Sequence, residues 1–154
     1  MFSANARRGL IPLLAVTSAL VGGCSDITFG GYDEFEGHYN YAGTVDHEPG
    51  DVVAGTITIT QQRGSRARVV IDWSYYDQGV EILRITTERA ADAHLGSRGH
   101  ISFEFTGEIF LDGRRSTFRL SHDGWLDHRA IDGDWTLVTG LPTTDFGAFV
   151  AHRQ

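Results

Sequence analysis

Seven histidines and twenty carboxylates carry the reactive side chains of this chain, and their densest run is His122-Asp123-Gly124-Trp125-Leu126-Asp127-His128-Arg129. Imidazole and carboxylate suit zinc, so His122 and His128 with one aspartate form the natural candidate set. The pattern argues against it. No His-x-His or His-Glu-x-x-His spacing occurs, and Leu126 to Arg129 reads as a hairpin tip that puts Asp127 and His128 in solvent. Asp46, His47, Glu48 and Asp51 fall in a second turn, where polar residues gather because loops face water. That stretch lacks the ligand spacing of an EF-hand. No Gly-x-Ser-x-Gly elbow marks a serine hydrolase. Glu104 with Glu108, and Asp72 with Glu81, have the types for glycoside hydrolysis, but carboxylate separation is a tertiary property. On extended segments they read as outward charges that keep the domain soluble. The expectation is no catalytic residue, no metal and no cofactor.

The lone cysteine, Cys24, carries a different chemistry. Arg7 and Arg8 precede an apolar run from Leu10 to Val21, and Val21-Gly22-Gly23 leads into the thiol. A charged segment, a short apolar segment and small residues are the parts of a cleavable export signal. The run is shorter than the about 20 residues a spanning helix needs. Val21-Gly22-Gly23-Cys24 resembles the lipobox of bacterial lipoproteins. That resemblance implies cleavage before Cys24, a diacylglycerol on its sulfur, and a bacterial cell-envelope location. Residues 1–23 are then a signal peptide, 24–34 a lipid-anchored tether and 35–154 the folded domain. Ser25 follows the cysteine where aspartate would mark inner-membrane retention, so an outer membrane is the expected address if the organism has one. Arg7-Arg8-Gly9-Leu10-Ile11 also resembles a twin-arginine motif, against which a plain secretory signal is preferred.

With Arg7 and Arg8 removed, 11 arginines face 20 carboxylates, a formal charge of −9. Such a domain should avoid nucleic acid and be repelled by anionic lipid surfaces. The chain has no lysine, which excludes lysine Schiff-base chemistry. The tether, at about 3.3–3.6 Å per residue, keeps the domain near its membrane.

Period-two alternation dominates after Cys24. Thr56-Ile57-Thr58-Ile59-Thr60 puts its isoleucines on one face, and Ile101, Phe103 and Phe105 oppose His100, Ser102 and Glu104. Turn residues such as Glu48-Pro49-Gly50-Asp51, Asp77-Gln78-Gly79 and Asp112-Gly113 punctuate the strands. The division predicts eight strands, near 35–45, 52–62, 67–77, 79–88, 100–111, 116–125, 130–139 and 146–153. The segment 89–99 is expected to hold one helical turn. Short connections force antiparallel neighbours, and eight of them suggest an all-β, up-and-down barrel whose closure removes exposed edges. A two-sheet sandwich competes, though it needs longer crossovers.

The chain ends sharpen this. Gly37-His38-Tyr39 opens the first strand, Gly133-Asp134-Trp135 lies late, and Gly147-Ala148-Phe149-Val150-Ala151-His152-Arg153 closes the last. Together they resemble the lipocalin-like (calycin-type) barrels of small bacterial lipoproteins. There a Gly-x-Trp in strand one packs beneath a basic residue of the last strand. The resemblance implies that Tyr39 and Arg153 close the barrel floor, with tyrosine standing where the wider family has tryptophan. Gly37, Gly133, Trp135, Gly147 and Phe149 complete the closure set by parity. Trp73, Trp125, Tyr41 and Phe105 are the expected lining of a pocket for a small apolar or amphipathic ligand. Two alternatives stay open: a barrel filled by these rings that works through its outer surface on an envelope protein, and a lipocalin-type enzyme.

Overall fold

The computed structural model describes residues 35–61, 64–87, 89–111, 113–140 and 144–154. Cys24 and the whole proposed signal and tether lie outside the described residues. Nine strands follow one another: β1 (Gly37–Thr44), β2 (Val52–Gln61), β3 (Arg66–Asp77), β4 (Val80–Thr86), β5 (Ala91–Leu95), β6 (His100–Leu111), β7 (Arg114–Asp127), β8 (Ala130–Thr139) and β9 (Thr144–Arg153). A single 3₁₀ turn, Ser97–Gly99, separates β5 from β6.

Every ladder is antiparallel, and β1–β9 and β2–β3 pairings close the sheet on itself. The ring runs β3-β2-β1-β9-β8-β7-β6-β5 and returns to β3, with β4 as an extra strand on β3. This is the antiparallel eight-stranded barrel that the alternation predicts, with one strand added, and its form agrees with the lipocalin-like resemblance. The turns show why neighbours are antiparallel. Gln78 and Gly79 both have positive φ, the backbone a two-residue hairpin of matching twist requires.

Inward and outward residues alternate as the sequence pattern demands. Ile57, Ile59, Ile101, Phe103 and Phe105 are buried, as are Trp135, Leu137, Phe149 and Ala151. The core therefore lies inside the ring, and every strand contributing to it falls between Phe35 and Arg153. Among the described residues, this segment holds its own ladder and core, as an independently folding domain requires.

Segment 89–99 departs from expectation. Instead of a helical turn in its first half, Ala91–Leu95 is a strand paired with both β3 and β6. β4 and β5 are in fact two halves of one strand path. Between Asp72↔Thr86 and Val69↔Ala91, three steps along β3 match five along its partner. Two extra residues form an irregular bulge, stapled where Thr87 donates its backbone N–H to Ile71 O (3.0 Å) and accepts the Ile71 N–H on its side-chain oxygen (3.0 Å). A bulge bends a strand and ends local pairing.

The consequence is a break in the wall. β5 pairs with β6 only over Ile101–Phe103, and β4 pairs only with β3. Among the described residues, β6 from Glu104 to Leu111 has a ladder on one side alone, with β7.

Candidate functional site

Alternation fixes what faces the interior. On β7, Phe118, Leu120, His122 and Gly124 share the buried side. On β1 and β3, Tyr41 and Trp73 face inward at one level, each opposite Gly55 of the intervening β2. Gly55 has to be a glycine, since a Cβ there would sit 1.8 Å from the Asp72 carbonyl oxygen.

These strands bring three side chains with polar atoms into an otherwise apolar interior. The Tyr41 hydroxyl lies 3.2 Å from His122 Nε2. His122 stacks on Phe103 (4.7 Å between centroids) and meets Phe149 edge-on (5.3 Å), while Tyr41 stacks on Phe149 (5.0 Å). Trp73 abuts Trp135 (5.5 Å) and Tyr75 (6.3 Å). Burial pushes the imidazole pKa down from 6.5 to about 3, so His122 is neutral. Burial likewise raises the Tyr41 phenol, with the nearby Trp73 indole opposing. Trp73 Nε1 nonetheless makes no hydrogen bond, and neither does His122 Nδ1.

Around this interior lie the barrel ends and the fissure. Tyr39 and Arg153 are register partners. The Tyr39 hydroxyl donates to Phe35 O (2.8 Å), and Arg153 donates to Glu36 O. The guanidinium lies over Gly37, where a Cβ would meet Arg153 Nε at 2.7 Å. The glycine of Gly37-His38-Tyr39 thus makes room for the last strand's arginine. Gly133 and Gly147 serve close approach in the same way: a Cβ would lie 2.1 Å from Asp123 O and 1.9 Å from Thr44 O, respectively. Trp135 caps Gly147 and donates its indole N–H to Thr44 O (3.1 Å).

The fissure is a recess of about 790 Å³ between the β4–β5 bulge and β6. Thr87, Arg89 and Glu108 stand at its rim, and Phe105, Gly107 and Phe118 form its floor. Phe118 lies across Gly107, its ring 2.8 Å from where a Cβ would be. Val80 and Ile82 on β4 and Phe110 on β6 are exposed apolar side chains that do not line it.

Three of the four expected lining residues, Tyr41, Trp73 and Phe105, are buried inside. Trp125 is not, and this is a correction: it is 52% exposed on the outer face, against His100 (5.1 Å). The unbroken parity of Phe118, Leu120 and His122 passes to Gly124 and turns Trp125 outward. His122, weighed from sequence only as a zinc ligand, is instead the interior's central polar group. The inward run Phe118-x-Leu120-x-His122 was the signal that could have placed it. His122 and His128 cannot share an ion, because His128 stands in solvent at the β7–β8 turn. Among the described residues no three His, Cys, Asp or Glu side chains converge on a metal position.

No family model matches the chain, and no curated protein matches it in sequence. Solved structures do match in shape. A redesigned β-barrel, mFAP1, bound to DFHBI superposes with a TM-score of 0.52 at 11% identity, covering 79% of this chain and 96% of that one. EF1p2_mFAP2b bound to DFHBI gives 0.57 at 11% identity, covering 79% and 95%. What they share with this chain is the fold. At that identity the likeness establishes a small antiparallel barrel and nothing about chemistry.

Proposed function

We propose that this chain is an exported, lipid-anchored protein of the bacterial cell envelope whose barrel is non-catalytic and holds one small apolar or amphipathic molecule. The observation that carries the reading is the fissure. It is a recess open to solvent beside β6, where the buried rings of Phe105 and Phe118 lie beneath a polar lining that includes Thr87, Arg89, Glu104 and Glu108. Ligand sites are concave and mostly apolar, with a few polar groups that orient the guest. The two similar barrels were each solved with DFHBI bound, which supports a barrel of this form as a holder of small molecules. Anchoring rests on Arg7, Arg8, the run to Val21, and Cys24. Two acyl chains on such a cysteine make a stable anchor where one binds marginally.

The competing reading is a filled barrel that acts through its outside on an envelope protein. It draws on the fully buried Trp73, Trp135 and Tyr39 and on the exposed Trp125 and Phe110.

Two measurements test the proposal. The domain from Ser25 onward, purified from its native host and weighed by native mass spectrometry, should carry a discrete mass lost on denaturation. A bare mass, unchanged after incubation with envelope lipid extract, favours the filled barrel. Separately, full-length protein should incorporate labelled palmitate, and Cys24→Ser should abolish it and release the protein from membranes. Unchanged membrane association without label refutes the anchor.

A further inference from the structure

Three buried side chains, Tyr41, Trp73 and His122, leave Trp73 Nε1 and His122 Nδ1 without a protein partner, and the protonation of His122 follows from counting protons. Trp73 Nε1 can only donate, a hydroxyl can do both, and a neutral imidazole donates from one nitrogen and accepts at the other. If Tyr41 donates to His122 Nε2, the imidazole proton must sit on Nδ1. His122 Nδ1–H and the Trp73 indole N–H then lack acceptors. If instead His122 donates from Nε2, the Tyr41 proton loses its acceptor and Nδ1 becomes an unfilled acceptor as well. The first arrangement strands fewer buried groups, and each stranded group costs about 1–3 kcal/mol.

We infer that His122 Nδ1–H is the donor that reads the ligand, and that the ligand is a neutral molecule with an apolar body and one acceptor oxygen of the ketone, ester or amide kind. This rests on the reading of the barrel as a ligand holder. Neutrality follows from the surroundings. Apart from the tyrosines and tryptophans, Ser74 and His122 are the buried polar side chains among the described residues, and none of these brings a formal charge. A carboxylate moved into such an interior without a cation would be far more costly than an uncharged carbonyl. The route is short in aromatic steps: Phe105 at the fissure floor meets Phe103 (5.8 Å), which stacks on His122.

The test uses the Ser25–Gln154 domain and three probes of similar size: acetophenone, ethylbenzene and benzoate. Nitrogen-15 NMR of the free domain should show His122 protonated at Nδ1 and bare at Nε2. Acetophenone should shift the Trp73 and His122 ring signals and bind about tenfold tighter than ethylbenzene, the worth of one hydrogen bond. Benzoate should bind more weakly than either. In His122→Phe, which keeps a ring against Phe103, acetophenone and ethylbenzene should bind equally. Tyr41→Phe should shrink the same preference by freeing the tautomer.

Equal binding of acetophenone and ethylbenzene to the unaltered domain would overturn this inference and leave the ligand-holding reading intact. So would a preference for benzoate. A bound water on Nδ1–H that acetophenone does not displace would make the donor structural and overturn it too. Binding of none of the probes, together with a bare native mass, would overturn both readings.

Discussion

The Tyr41 hydroxyl stands 3.2 Å from His122 Nε2, across a barrel whose remaining interior is almost wholly apolar. The contact joins β1 to β7, strands 81 residues apart in sequence and not adjacent in the ring. It therefore ties opposite walls together, and it holds an imidazole where protonation is strongly opposed.

That opposition makes stability depend on pH with a defined sign. Burial lowers the His122 pKa from 6.5 to about 3, so between those values the unfolded chain binds a proton that the native barrel refuses. The contribution is complete above the unfolded pKa and is lost as pH falls toward the folded one. One such group costs about 1.4 kcal/mol per pH unit in that window, hence about 2 kcal/mol between pH 6.5 and pH 5. His122→Phe removes this loss while carboxylate titration continues in both proteins. Urea unfolding at pH 7 and pH 5 should show the stability difference between the two shifting by about 2 kcal/mol in favour of the variant. A pH-independent difference would mean that His122 is solvated.

The three tryptophans should separate cleanly by quenching. Trp73 and Trp135 are buried at 0% and 1% exposure, whereas Trp125 is 52% exposed. Acrylamide or iodide should quench one emission component strongly, and Trp125→Phe should remove it with little change in unfolding midpoint. An interior ligand should act on what remains, through Trp73. If Trp125→Phe abolished the response to a ligand, the interior placement of the site would be wrong.

Close backbone approach makes a sharper stability prediction at Gly133 than at a turn glycine. A Cβ on Gly133 would meet Asp123 O at 2.1 Å and the Gly124 Cα at 2.5 Å, so two strands must part to admit it. Gly64→Ala meets nothing within 4 Å and strains only its positive φ. Gly133→Ala should cost about 1–3 kcal/mol or more, the usual range for overpacking a tight site. Gly64→Ala should cost about 1 kcal/mol. Chemical denaturation of the two variants checks the order, and an equal cost would contradict the close approach.

Much of this architecture was legible because alternation is a local signal. Thr56–Thr60 and Ile101–Phe105 declare their faces without help from the rest of the chain, and the closing motif around Gly37 and Arg153 has its steric reason within two paired strands. What escaped is tertiary. Ala91–Leu95 is too short and too alanine-rich to stand out as a strand, and it becomes one because β3 and β6 bracket it. Trp125 looked like pocket lining because large aromatics favour burial, yet strand parity outweighs that preference one residue past Gly124. His122 carried no motif. Its role arises from Tyr41 and Trp73, which approach it only when the barrel closes.

Hydrogen exchange tests the fissure directly. Along Ile101–Phe103, β6 lies between β5 and β7 and has ladders on both sides. From Glu104 to Leu111 it bonds only to β7, so in an antiparallel pair every second amide points away from its partner. Those amides face the gap toward β4. Exchange by NMR should therefore be uniformly slow over 101–103 and alternate between slow and fast over 104–111. Phe118 is the ring that shields part of this edge, since it lies across Gly107. Phe118→Ala should raise exchange further at the fast positions and cost toward the lower end of the about 3–5 kcal/mol seen for buried phenylalanine, because its space borders solvent already. It should also speed acetophenone binding and release together, leaving the ratio of the two rates nearly unchanged. Uniform protection across the whole of β6 would show a closed wall, and the passage from solvent to Phe105 would then have to lie at a barrel end.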